Sequence, residues 1–183
     1  MTKNIFFLFL ISAFSYPAKS QILMTNSAKI SFFSETPVEN ISALNTNVSS
    51  LVNTTTDSVL VRIKNTGFTF KNALMREHFN ENYMESTRYP LDTFRGKIDQ
   101  AIDWKKNGTY KVSATGQIVI HGVEKPMVIN GTLTINKDGS AHLESEFFLH
   151  TADFKIEIPK LVFEKIAESI KVTMLADYGS VKK

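Results

Sequence analysis

Residues 116–135 read GQIVIHGVEKPMVINGTLTI. Extended backward, the first half places Tyr110, Val112, Ala114, Gly116, Ile118 and Ile120 at every second position. The second half repeats the pattern with Met127, Ile129, Gly131, Leu133 and Ile135. Period-two alternation over runs of this length predicts half-buried antiparallel strands. The six residues His121 to Pro126 join them as a short loop. Gly122 supplies a positive φ there, and Pro126 restricts the entry to the second strand, where a missing donor is tolerated. His121 and Glu124 invite an acid–base reading, but no nucleophile, second acid or glycine-rich elbow stands near them. The segment reads as the place where the chain reverses, and no catalytic residue is assigned.

Outward from this hairpin the same period recurs. Ala28, Ile30 and Phe32 alternate in one strand, Val59, Val61 and Ile63 in a second, and Phe94, Gly96 and Ile98 in a third. Lys137-Asp138-Gly139 is a turn, followed by Ala141, Leu143, Ser145, Phe147 and Leu149 in alternation. Phe154, Ile156 and Ile158 suggest a further short strand, Lys165 to Ala167 a helical turn, and Ile170, Val172, Met174 and Ala176 a closing strand. Residues 35–57 are polar, with Ile41, Leu44, Val48, Leu51 and Val52 at mixed three- and four-residue spacing. That spacing predicts a helical crossover, although Asn and Thr form helices poorly. The principal helix is predicted over residues 73–85, with Asn72 as its cap. Leu74 and His78, and Met75 and Phe79, lie four apart on it. Tyr89-Pro90 ends the segment.

The sum is an all-β chain of about eight antiparallel strands with one principal helix. Closure into a barrel removes the exposed edges such a chain would carry. A two-sheet sandwich fits the same periodicity.

The first residues are of a different kind. Lys3 precedes an apolar run from Ile5 to Phe14 that is too short to cross a bilayer, and Ala18-Lys19-Ser20 carries small residues where a signal peptidase reads. Residues 1–20 are read as a signal peptide, with 21–183 as one exported domain localised to the periplasm. Removing them takes two lysines and no acid, so the net charge falls from +3 to +1. A nearly neutral chain with scattered cations has no footprint for nucleic acid. No later run is long and apolar enough to predict a membrane-spanning helix. Cysteine is absent, which removes thiol and iron–sulfur chemistry.

His78, His121, His142 and His150 show no metal-ligand spacing, so no metal or cofactor is assigned. Arg76 and His78 sit beside Phe79 and Tyr83, and either could hold a polar headgroup at a barrel mouth. A solvated charged face is the simpler local explanation of them. Ala114, Gly116, Gly131 and Ser145 are small at inward positions. They either leave room for a ligand or let the strands coil and pack. Phe70, Met75 and Phe94 complete the candidate ligand-binding set.

Three segments carry a resemblance. Met75-Arg76-Glu77-His78-Phe79, Ser86-Thr87-Arg88-Tyr89-Pro90-Leu91-Asp92-Thr93-Phe94 and Gly116 to Pro126 together resemble the YceI-like family of exported lipid- or polyisoprenoid-binding domains, over about residues 26–177. Ala152-Asp153-Phe154 echoes a later family segment. The family implies a lipocalin-like barrel whose channel holds a long isoprenoid or fatty ligand, and no catalytic residues. The expected function is therefore an exported, non-enzymatic apolar-ligand binder. A packed interaction module without ligand, and an enzyme on a small apolar substrate using His78, His121 or Tyr83, are the alternatives. The sequence neither requires nor forbids a homodimer.

Overall fold

The computed structural model describes residues 22–35, 40–158 and 167–180. The signal-peptide reading and most of the predicted turn at Lys165 to Ala167 lie outside them.

Among the described residues nine strands form: β1 (Ile22–Ser34), β2 (Ile41–Asn53), β3 (Ser58–Lys64), β4 (Thr69–Phe70), β5 (Leu91–Ile98), β6 (Gly108–Ile120), β7 (Val123–Ile135), β8 (Ala141–His150) and β9 (Ser169–Ser180). The spatial order is β1-β9-β8-β7-β6-β5-β3-β2, and β1 pairs back onto β2. Every pairing is antiparallel. The eight long strands therefore close into a barrel, and the sandwich is excluded. Two-residue β4 adds to β2 through Ala43↔Phe70 and Leu44↔Thr69.

The opening hairpin is tighter than its sequence suggests. Only His121 and Gly122 turn, at φ 51 and φ 73, and β7 begins at Val123. Two successive positive φ values match the right-handed twist of the flanking strands. Pro126 thus lies inside β7, opposite Gln117 of β6. The register of β8 with β7 runs only over Gly131–Ile135, so Pro126 falls on a stretch where a missing donor is tolerated.

The predicted crossover at 35–57 is instead β2. Its inward residues are Ala43, Asn45, Val48, Ser50 and Val52, all buried. Register shifts on either side of the Ala28↔Val48 pair insert extra residues, which turns one period of two into three and imitates helical spacing. Asn45 satisfies the irregular backbone. Its amide donates to the Lys64 carbonyl at 2.9 Å and its Oδ1 accepts from Asn47 N–H at 3.0 Å.

The helix is shorter than predicted. α1 spans Ala73–His78, with Asn72 Oδ1 accepting from Met75 N–H at 2.8 Å, and a wider π-helical turn continues over Phe79–Tyr83. The strand predicted at Phe154–Ile158 is a 3-10 turn, Thr151–Phe154, ended by Lys155 at φ 55, a conformation no strand sustains.

The two barrel ends differ. At one end, the tight turns β2–β3 and β7–β8 surround a floor built on Val52, Ile98, Leu133, Ile135 and Tyr178, all buried. Tyr178 hydroxyl and Ser50 Oγ share a hydrogen bond at 2.7 Å, and burial pushes the phenol up to about 12. Trp104 closes this side, its indole N–H donating to Asp57 Oδ1 at 2.8 Å. The opposite end carries α1, the π turn, the His121–Gly122 turn and the 3-10 turn.

Candidate functional site

The barrel interior holds a cavity of about 490 Å³ that runs from the helix end down to Tyr178. That size lies in the range of small-molecule sites. Its walls come from inward positions of the strands, such as Ile30, Val61, Ile118, Leu143 and Val172. At the helix end four aromatic rings gather. Phe79 lies 5.6 Å from Phe32, 5.3 Å from Phe68 and 5.0 Å from Phe70, ring centre to ring centre. These separations suit edge-on and offset packing. The π turn is what carries Phe79 over the lumen.

The structure brings most of the sequence-derived set together. Phe70, Met75, Phe79 and Phe94 line the cavity. Ala114 and Gly131 line it from β6 and β7, and His78 and Tyr83 from the helical segment. Burial pushes the Tyr83 phenol up.

Two members are displaced. Arg76 is exposed and lines no part of the cavity, because the helix face that Met75 and Phe79 turn inward is not the one it occupies. Gly116 lines none of it either. It faces Gly96 across β5–β6, and a Cβ there would lie 2.2 Å from the Arg95 carbonyl oxygen. Its smallness serves strand approach. Gly131 is close-packed too, since a Cβ there would lie 2.8 Å from the Glu144 carbonyl oxygen.

His121 is outside the lumen. Its Nε2 lies 2.9 Å from Glu85 Oε2 and its Nδ1 3.1 Å from the Phe154 carbonyl oxygen. Tyr89 meets the ring edge-on at 4.7 Å. The imidazole fastens the hairpin to the two neighbouring turns. Among the described residues no cluster of three or more His, Cys, Asp or Glu is placed to hold a metal.

One functional candidate was missed from sequence. Asp92, 7 % exposed, faces the lumen beside Thr93 and Phe94. Asn65 Nδ2 and the His121 backbone N–H both donate to its Oδ1, each at 3.2 Å. Burial raises its pKa to about 6, and those two hydrogen bonds and the His121 charge pull it part of the way back. Carrying the Phe94–Ile98 register two residues toward the N-terminus would have found it.

The YceI-like domain model matches residues 17–177. No curated protein matches the sequence. Among solved structures, a polyisoprenoid binding domain from Saccharophagus degradans implicated in plant cell wall breakdown superposes with a TM-score of 0.73 at 15% identity, over 88% of this chain and 99% of that one. Burkholderia cenocepacia BcnA gives 0.69 at 16% identity, over 83% and 96%. The Campylobacter jejuni YceI protein gives 0.63 at 17%, over 81% and 90%. At these identities the likeness is one of fold.

Proposed function

This chain belongs to the YceI-like domain family, and from that premise we propose that it carries one long apolar lipid, isoprenoid or fatty, inside its barrel. The observation behind the reading is the lumen, about 490 Å³, walled by aliphatic and aromatic side chains and overlain by α1 and the π turn. Each buried methylene contributes about 0.8 kcal/mol, so a ten-carbon chain offers roughly 8 kcal/mol before ordering costs. That reaches the micromolar range without a strong headgroup contact. The reading is of a binding protein and not an enzyme. His121, the best candidate base, spends both ring nitrogens on Glu85 and Phe154.

The proposal includes export. Lys3, the Ile5–Phe14 run and Ala18-Lys19-Ser20 motivate cleavage before Gln21 and a periplasmic location. The intact mass of exported protein should correspond to a chain starting at Gln21. A full-length mass in the exported fraction would refute it.

Native mass spectrometry of the purified protein tests the binding itself. A lipid adduct that disappears on solvent extraction and returns on incubation with a long-chain lipid is expected. Protein that shows no adduct and takes up no lipid after extraction would refute carriage and favour a packed interaction module.

A further inference from the structure

The lumen is apolar along most of its wall, yet a carboxylate faces it at the helix end. Asp92 belongs to the inward face of β5 with Phe94 and Ile98. Burying a charge is costly unless it is paired, and Asp92 is only half provided for. Both of its hydrogen bonds go to Oδ1. Among the described residues Oδ2 accepts from no protein group, and none of the ion pairs involves this side chain. The one histidine beside it gives its backbone N–H, while its ring is held by Glu85 and Phe154.

Packing alone does not explain the residue. A valine or isoleucine would continue the wall at this position as Ile63, its cross-strand partner, does. Asn65 is fully buried and donates to both Tyr89 oxygen and Asp92 Oδ1. The carboxylate thus belongs to a residue that lines the lumen, with one oxygen fixed by the protein and no protein donor on the other among the described residues.

We propose that Asp92 Oδ2 is the acceptor for a hydrogen-bond donor at the head of the bound lipid, so that the site selects a long-chain alcohol over a fatty acid. This rests on the apolar-ligand reading and adds the chemistry of the head. A hydroxyl donates its proton to the carboxylate and supplies the missing partner, a charge-assisted bond stronger than a neutral one. A fatty carboxylate brings a second negative charge into a low-dielectric site whose basic lining groups, among the described residues, are the imidazoles of His78 and His150, with no lysine or arginine on the wall. An ester is neutral but has no donor, so it leaves Oδ2 unsatisfied. The location agrees with the shape of the cavity. The floor at Tyr178 closes the far end, so a chain lying down the lumen leaves its head at the helix end, where Asp92 stands.

The test displaces a fluorescent long-chain reporter from delipidated full-length mature protein at pH 8, using oleyl alcohol, methyl oleate and oleate. The parent should bind the alcohol at least tenfold more tightly than oleate, with the ester between them. Asp92→Asn keeps an oxygen for Asn65 and His121 and turns the other acceptor into a donor. In that variant the ester and oleate should gain, and the alcohol's advantage should fall below threefold. Equal binding of alcohol and oleate by the parent overturns the proposal while leaving lipid carriage intact. An order unchanged by Asp92→Asn does the same. If the reporter and all three lipids fail to bind the parent, carriage itself fails and this inference falls with it. The parent's ranking alone decides the matter should the variant not fold.

Discussion

Asp92 ties the lumen to the stability of the fold. Its pKa of about 6 lies above the ordinary 3.8, so the folded chain holds this proton more tightly than the unfolded chain does. The cost of its charge is absent below about pH 4, grows as pH rises to about 6, and is complete above that. The shift corresponds to something on the order of 3 kcal/mol. Asp92→Asn removes the titration and keeps the acceptor. The variant should match the parent near pH 4 and exceed it by an amount of that order at pH 8, as urea unfolding at the two pH values will read. A parent–variant difference that does not change with pH would contradict the burial account. His142, raised chiefly by its hydrogen bond to Asp177, contributes stability that is lost as pH rises through its raised pKa. Both proteins carry it, so it cancels in the difference. Gly122 is the other decisive single position. It stands at φ +73, and a Cβ there would lie 2.4 Å from the Tyr89 ring. Gly122→Val meets both penalties, and a loss of more than about 1 kcal/mol is expected. Thermal melting of the variant at parental salt and pH checks this. His121→Ala removes the tie to Glu85 and should lower the melting temperature without changing lipid retention, because the ring lies outside the lumen.

At the scale of elements, the helical segment is held in the wall by its side chains. α1 has six residues, far too few to be stable alone, so its position depends on Phe79 among Phe32, Phe68 and Phe70. Phe79→Ala should cost about 1–3 kcal/mol, less than a fully buried phenylalanine because this ring is only half-buried. Bound lipid should leave severalfold faster, and amide exchange should rise first over residues 73–83. Stopped-flow release and hydrogen exchange measure the two effects. A parental release rate would show that the ligand does not pass this segment. The same elements explain what could be read from sequence. β6 and β7 announce themselves because thirteen-residue strands with one wet face leave an unbroken period of two. β2 did not, because two register shifts against β1 broke that period and the resulting three-residue step looked helical. The helical pattern runs on past His78 because the sequence does not mark the change from α to π geometry at Phe79. At the cavity, apolar lining residues are legible by alternation, whereas only charge points to Arg76 and only size to Gly116. Neither charge nor size says which way a residue points or what its backbone must approach.

The whole barrel holds a lumen that runs from the helix end down to a floor at Tyr178, and Ala114 is placed to test whether that lumen is open. It lies between Ile98 of β5 and Ile129 of β7 in register, and all three line the cavity. Ala114→Phe sends a ring into the lumen while the outer face of β6 is undisturbed. In a hollow barrel the ring takes space that a lipid chain would occupy, and it gains apolar contacts that offset its own ordering. The delipidated variant should then melt within a degree or two of the parent or slightly above it, since a 1 kcal/mol change moves a domain of this size by about 2–4 °C. Uptake of a fluorescent long-chain lipid should fall at least tenfold, because the loss of roughly two buried methylenes already amounts to more than a factor of ten. In a barrel packed throughout, the same ring would overfill the core and cost about 1–3 kcal/mol. Melting and uptake move in opposite combinations under the two accounts. Preserved stability with lost uptake supports a lipid lumen, and lost stability in a protein whose parent takes up no lipid would replace it with a solid core.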